Sequence, residues 1–169
     1  DTTKPKIRAP ADVTIEAASS ANNAVILGDP TVTDNGEIKS ITNDAPLAFP
    51  LGTSIVTWAA TDTAGNIAVD TQKVTVVDTT SPTITAPADV VFEAVSLTDN
   101  PVPIGDATTT DIQTVTITND APIVFPLGET TVTWTATDTA GNSAVATQKV
   151  SVLDTTVPIL VLPADVTSE

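Results

Sequence analysis

The chain lacks histidine, cysteine and tyrosine, and aromatic residues make up only 3% of it. Most general bases, thiol nucleophiles and zinc ligands are therefore missing, and we expect no enzymatic activity. Paired carboxylates could in principle cleave glycosides, but the acidic residues here fall in turns and connectors. Without cysteine, no disulfide reinforces a small domain, so rigidity must come from bound metal or from packing between repeats.

Basic residues are scarce as well. The sequence has 6 basic and 21 acidic residues, for a net charge of −15. A nucleic-acid partner is therefore not expected, because no basic patch is evident. No apolar run approaches the roughly 18 residues of a membrane-spanning helix, so membrane insertion is not expected either. The acidity suits a solvated surface or a set of cation sites.

An internal repeat organises what is present. The segment Val56–Asn66 returns as Val132–Asn142, which places Trp58 and Trp134 76 positions apart (134 − 58). Asp-Thr-Thr occurs three times and so does Pro-Ala-Asp-Val, so two complete units are followed by the opening of a third. We predict repeats at residues 1–77 and 78–153, then at 154–169 the first strand of a third repeat or a donor strand.

Alternation in the second copy predicts a strand that runs into a tight turn. Val132, Trp134 and Ala136 share one side, and threonines occupy the other. The segment Asp138–Asn142 has turn chemistry, and a second alternating run follows it, so the unit contains a hairpin. We expect each tryptophan to be the centre of a core, because large rings dominate burial.

Other short segments complete the predicted unit. Val13 and Ile15 should point inward, Ala24–Gly28 with Pro30–Thr33 should form a broken second strand, and Ile38–Thr42 a third. No stretch has helical periodicity. Many short strands with frequent turn signals predict an all-β chain of tandem β-sandwiches. If the hairpin strands come last in each unit, the units stack end to end as a rod joined by a short, semi-stiff connector.

The repeated motifs resemble the hyalin-repeat (HYR) family. They are Asp-Thr-Thr-x-Pro, Pro-Ala-Asp-Val-x-x-Glu-Ala and Phe-Pro-Leu-Gly-x-x-x-Val-Thr-Trp-x-Ala-Thr-Asp-Thr-Ala-Gly-Asn, and they cover both units. The resemblance implies immunoglobulin-like sandwiches in tandem, at the cell surface or elsewhere outside the cell, in adhesion, matrix and prokaryotic surface proteins. The absence of a cysteine pair points to the prokaryotic type. Because a fold hosts many functions, the family alone defines a scaffold.

Calcium binding is the chemistry that the acidic residues suit best, because Ca²⁺ takes six to eight oxygen ligands. In the stacked arrangement we expect ligands at each junction between repeats, as in cadherin-type rods. The candidates are, at the junction of the two repeats, Glu16, Asp78, Asp111, Asp138 and Asn142; at the front, Asp1, Asp34, Asp62 and Asn66; and at the rear, Glu93 and Asp154. The same residues also suit metal-free turns and a solvated linker.

Three functional hypotheses remain at this point. The first is a non-catalytic spacer in an extracellular surface protein or fibre, stiffened by Ca²⁺ between neighbouring repeats. The second is a self-assembling filament or surface-layer subunit, in which the C-terminal strand adds to an identical subunit. The third is a module that binds a surface glycan or a host protein. The threonine faces are expected to be solvated β-surface; the alternatives are O-glycosylation or a flat surface for carbohydrate or ice.

Overall fold

The computed structural model describes residues 1–161 and divides into two compact units. Unit 1 comprises Asp1–Thr80 with Ile112–Thr114, and unit 2 comprises Ser81–Asp111 with Val115–Glu169. Residues 1–161 form strands and turns only, with no helix of the length and apolarity that a membrane span requires. The all-β prediction is confirmed. Residues 154–161 form no strand, and the remainder of the predicted third-repeat strand lies outside the described residues.

Unit 1 is a β-sandwich of one four-stranded and one two-stranded sheet. The larger sheet has the order β2-β6-β5-β4, and β1 pairs with β3 in the smaller one. Strand β2 runs parallel to β6 and every other pairing is antiparallel. The strands are β1 (Lys6–Arg8), β2 (Val13–Glu16), β3 (Thr31–Thr33), β4 (Ile38–Asn43), β5 (Gly52–Asp62) and β6 (Ile67–Val77).

Unit 2 repeats this architecture strand for strand. Its larger sheet has the order β10-β11-β12-β8, with β8 parallel to β12, and β7 pairs with β9. The sequence repeat is therefore also a repeat of the fold. The strands are β7 (Thr83–Thr85), β8 (Val90–Glu93), β9 (Thr108–Thr110), β10 (Val115–Asn119), β11 (Gly128–Asp138) and β12 (Ser143–Leu153).

The predicted hairpins are confirmed as β5–β6 and β11–β12. In β11, Val132, Trp134 and Ala136 are buried, while the threonines between them lie on the outward face. Both tryptophans lie in the core of their unit, as predicted, beside Phe49 in unit 1 and Phe125 in unit 2. The period-2 alternation thus determines which face of each long strand contacts the core.

A buried glutamine connects the core tryptophan to the backbone in both units. In unit 1 the Trp58 indole N–H donates to Gln72 Oε1 (3.2 Å), and Gln72 Nε2 donates to the carbonyls of Ala11 (2.7 Å) and Leu27 (2.9 Å). In unit 2, Trp134 and Gln148 make the same bonds, with Ala88 and Ile104 as acceptors. The glutamine therefore satisfies three polar groups of other residues in a chain that has no disulfide.

The prediction of a strand at Ala24–Gly28 was wrong. Of the proposed broken strand, only Thr31–Thr33 belongs to a sheet. Just before Ala24, Asn23 forms an isolated β-bridge with Phe49. Gly28 has a φ of 81°, which takes it out of the β region, and Pro30 has no N–H to donate. The Leu27 carbonyl accepts its bond from Gln72 instead of from a neighbouring strand.

Candidate metal centre

Three aspartates of unit 1 bring their carboxylates together. Asp1 lies in the segment before β1, Asp34 directly follows β3, and Asp62 ends β5. One carboxylate oxygen of each lies within 4.8 Å of the other two. Ca²⁺ binds oxygen at about 2.3–2.6 Å, so two oxygen ligands on opposite sides of an ion lie about 5 Å apart. The carboxylate oxygens of the three aspartates are therefore close enough to share one ion. Sequence reasoning had named all three residues together with Asn66.

Hydrogen bonds fix the orientation of these carboxylates. Asp62, which is 1% exposed, accepts bonds from the backbone N–H of Asn66 at Oδ1 (2.8 Å) and from its side-chain amide at Oδ2 (2.7 Å). Asp1 Oδ1 accepts from the Thr3 N–H (2.8 Å), and Asp34 Oδ2 accepts from the Gly36 N–H (3.1 Å). The cluster is therefore held in place by the turns that carry it.

One oxygen of the cluster has no partner. Asp34 Oδ1 is buried, with less than 1 Å² exposed, and accepts no hydrogen bond. A buried carboxylate oxygen without a donor is costly, so its position calls for a proton donor or a cation. Gly36 keeps the space beside it open, because a Cβ there would lie 3.2 Å from Asp1 Oδ2 and 3.4 Å from Asp34 Oδ2. Three carboxylates, one of which has an unpartnered oxygen, suit a hard divalent cation.

In unit 2, the turn after β11 has the same construction. Asp138 accepts bonds from the backbone N–H and the side-chain amide of Asn142, both at 2.8 Å. Asp111 directly follows β9, as Asp34 follows β3. Asp78, which belongs to unit 1, is 8% exposed and accepts a bond from the Thr80 N–H (3.1 Å). Like Asn66 in unit 1, Asn142 is a hydrogen-bond partner of its aspartate.

Glu16 lies outside the cluster of unit 1. Its carboxylate accepts bonds from the Thr79 N–H (2.8 Å), the Thr79 hydroxyl (2.8 Å) and the Thr80 hydroxyl (3.0 Å). Glu93 of unit 2 makes the same three contacts with Thr155 and Thr156, while Asp154 accepts from the Thr156 N–H. Each glutamate thus anchors the Asp-Thr-Thr segment that follows its own repeat, and a ligand role for Glu16, Glu93 and Asp154 stays a prediction.

Comparison with known proteins gives the family. The model of the HYR domain matches residues 1–76 and again residues 77–152. The chain belongs to the HYR family. The second HYR repeat so defined contains Asp78, Asp111 and Asp138, the counterparts of Asp1, Asp34 and Asp62 in the first.

Relatives of the two HYR repeats include large proteins. Hyalin from Lytechinus variegatus is 34% identical over 180 residues, which cover 97% of this chain and 34% of that protein. Hyalin from Strongylocentrotus purpuratus is 35% identical over 153 residues, covering 83% of this chain and 13% of that protein. The chain thus spans about a third or less of these relatives. A solved Drosophila N-cadherin EC1-4 structure gives a TM-score of 0.44 at 13% identity, covering 90% of this chain and 50% of that one.

Sequence reasoning missed the threonines that donate hydrogen bonds to Glu16 and Glu93 in the two HYR repeats. Thr79 and Thr80 lie more than 60 residues from Glu16 along the chain, so no local pattern connects them. A signal does exist in the repeat itself. The glutamate of the Glu-Ala motif and the two threonines of the next Asp-Thr-Thr motif occur in both repeats. Glu16 with Thr79 and Thr80 returns as Glu93 with Thr155 and Thr156, and this recurrence is the signal for a contact.

The Asp62 turn of the first HYR repeat predicts acid sensitivity. Hydrogen bonds from Asn66 outweigh burial and hold the Asp62 pKa below its ordinary value. The unfolded chain therefore binds this proton more readily, so the stabilisation is complete above the ordinary value of 3.8 and is lost as pH falls through the lowered pKa of the folded state. Urea unfolding across this range should show a shallower loss for Asp62→Asn than for the parent chain.

In unit 1, the remaining slope in that variant should come from Glu16 and Asp70. Backbone N–H donors, from Thr79 and Ala9 respectively, lower the pKa of both. Asn66→Ala, which keeps the aspartate and removes the side-chain donor, should shift the acid transition of unit 1 upward in pH. Equal slopes in all three proteins would contradict the role given to this turn.

Proposed function

We propose that this chain is a non-catalytic structural repeat of an extracellular or cell-surface protein, in which Ca²⁺ stiffens the connection between repeats. Membership of the HYR family, with hyalin among the relatives, supports the structural class. The observation that carries the calcium proposal is the buried, unpartnered Asp34 Oδ1 beside two further carboxylates.

The proposed ligands explain how an ion stiffens a repeat. Asp1 belongs to the Asp-Thr-Thr segment that leads into the repeat, whereas Asp34 and Asp62 belong to loops of the sandwich itself. An ion bound by all three ties the leading segment to the sandwich and removes its freedom to swing. Asn66 orients Asp62, and backbone oxygens or water complete the coordination. The bound ion supplies no chemistry beyond this electrostatic link.

By sequence equivalence, we extend the proposal to Asp78, Asp111 and Asp138 of the second HYR repeat. Asp78 starts the second Asp-Thr-Thr segment, and Asn142 is to Asp138 what Asn66 is to Asp62. A third such segment begins at Asp154. One ion for each leading segment would therefore restrict the flexibility of an array at every repeat.

Calcium titration tests this function. Calorimetry of the two-repeat chain should show two Ca²⁺ per chain, with dissociation constants of about 10⁻⁴–10⁻³ M as in other extracellular modules. Since only the folded state binds, about 10 mM Ca²⁺ should raise the unfolding temperature relative to EGTA by about 5 °C or more. Asp34→Asn and Asp111→Asn should each remove one ion, and the double variant both.

The matched control is Asp29→Asn, which removes the same charge from an exposed aspartate outside the cluster. It should keep both ions and the full thermal shift. If the parent chain shows no heat of binding and no thermal shift at millimolar Ca²⁺, the calcium proposal fails. A passive β-spacer would then remain. If the control loses an ion as readily as Asp34→Asn does, the ligand assignment fails.

Self-assembly through the C-terminal segment is the second candidate. Ile159, Leu160 and Val161 are 89%, 84% and 82% exposed, whereas Ile7 and Ile84, which occupy the position of Leu160 in the earlier repeats, pack against their cores. The exposed segment therefore has the composition of a first strand without the contacts of one. A neighbouring repeat or a second copy could supply those contacts.

A further inference from the structure

Half of the basic residues of this acidic chain lie within five positions of one another. Of the 6 basic residues, Lys4, Lys6 and Arg8 occupy alternate positions on and just before β1, and all three are exposed. The intervening Pro5 is buried and Ile7 packs against the core of unit 1. Because alternate residues of an extended segment share a side, this anchoring directs the three cations outward as one row.

In the described residues, no carboxylate lies within 4.0 Å of this cationic row, Lys4, Lys6 and Arg8, although the pKa of Asp70, lowered by backbone N–H donors, is lowered further by the nearby Arg8. The ion pairs within 4.0 Å in the described part of the chain are Lys73–Asp12 and Lys149–Glu129. Alternate positions on a strand are about 7 Å apart, where two like charges repel by about 0.6 kcal/mol even in water. The second repeat has Ser81, Thr83 and Thr85 at the equivalent positions, so the fold does not require the charges.

A pocket of about 310 Å³ lies along the cationic row. The residues that line it carry two ammonium groups, two hydroxyls, one amide and one carboxylate; they are Lys4, Lys6, Thr3, Thr33, Asn35 and Asp34. Ammonium groups bind sulfate or carboxylate substituents, and hydroxyl and amide groups pair with sugar hydroxyls. The pocket is therefore suited to an anionic saccharide unit, with further units following the row toward Arg8.

We propose that the first repeat binds an acidic polysaccharide through the cationic row and this pocket. A single-stranded nucleic acid fits less well, because base stacking needs exposed aromatic rings and Trp58 and Phe49 are buried. A second copy of the chain is also a poorer partner. Its acidic second repeat is opposite in charge to the row, but two chains of net charge −15 repel each other. The pocket shares Asp34 with the proposed calcium site, but the cationic row itself lies outside that site.

The test uses the intact chain and a fluorescein-labelled heparin oligosaccharide. Binding is followed by anisotropy in EGTA, so that no Ca²⁺ bound at Asp34 contributes. Three released counterions give a slope of log affinity against log salt near −2, or a loss of about 20-fold between about 50 and about 200 mM NaCl. The triple variant Lys4→Ser, Lys6→Thr, Arg8→Thr copies the second repeat and should lose measurable binding. Lys39→Ser with Lys73→Ser removes positive charge elsewhere in unit 1 and should bind much as the parent does.

Competitors identify the anionic group. Displacement by chondroitin sulfate but not by alginate assigns a sulfated polysaccharide, displacement by both assigns recognition of anionic groups in general, and neutral dextran should not compete. Equal binding by the triple variant and the parent overturns the proposal, as does the absence of binding at low salt. Sedimentation provides a third check. If the parent chain self-associates and the triple variant does not, the cationic row binds a second copy of the chain, and the proposal is overturned.

Discussion

Replacing Gln72 by leucine is expected to lower the free energy of unfolding of unit 1 by about 3–5 kcal/mol. The change leaves the Trp58 indole N–H and the carbonyls of Ala11 and Leu27 without their partner. Each buried polar group deprived of its hydrogen bond costs about 1–3 kcal/mol. Urea unfolding followed by tryptophan fluorescence reports the loss directly, because each unit contains one tryptophan.

Two companion variants separate the network from the packing around it. Gln148→Leu should destabilise unit 2 by a similar amount, because its bonds are the same. Thr71→Ala changes the adjacent residue, which is exposed, and should stay within about 0.5 kcal/mol of the parent. A loss below about 1 kcal/mol for Gln72→Leu would show that the three groups do not depend on the glutamine.

The second large effect concerns a buried asparagine that orders a loop. Asn23 accepts bonds from the N–H groups of Ala18 and Ser19 at Oδ1, and its amide donates to the carbonyls of Ser19 and Phe49. Asn23→Ala removes all four bonds, and we expect a loss of about 2–4 kcal/mol in unit 1 by urea unfolding.

The neighbouring Asn22 provides the control for that measurement. It is the same residue type one position away and is exposed, so Asn22→Ala should change stability by less than about 0.5 kcal/mol. Asn100 has the equivalent bonds in unit 2: it accepts from the N–H groups of Val95 and Ser96 and donates to the carbonyls of Ser96 and Phe125. Asn100→Ala should show the same loss there. Equal effects for Asn22→Ala and Asn23→Ala would contradict the assignment.

The long hairpins were the most predictable part of the fold, because alternation and turn chemistry agree in them. Val132, Trp134 and Ala136 carry the period of a half-buried strand, and Gly141 adopts a φ of 95° in the turn that Asp138 begins. The segment Ala24–Gly28 has similar alternation and yet forms no ladder. The positive φ of Gly28 takes the chain out of the β region, and the Leu27 carbonyl accepts its bond from Gln72, 45 residues away. A local pattern contains no information about such a distant partner.

The candidate metal centre was predictable in its residue types and less so in its contacts. Asp1, Asp34 and Asp62 were named because they recur with the repeat in turns and connectors, and the structure brings them together. Glu16 was named because it ends the first outward strand at the predicted junction, but its carboxylate accepts bonds from Thr79, 63 residues away. The unpartnered Asp34 oxygen and the row formed by Lys4, Lys6 and Arg8 emerge only when exposure and hydrogen bonds are known.

The parallel pairing of β2 with β6 has a mechanical consequence. One strand lies near the start of the repeat and the other at its end, and they pair along four residues, from Val13 with Val74 to Glu16 with Val77. Tension applied to the two ends of a repeat pulls these parallel strands in opposite directions. Their hydrogen bonds are then loaded in shear and together, whereas the bonds of a hairpin pulled from its open end break one after another. The second repeat, with β8 beside β12, resists tension in the same way.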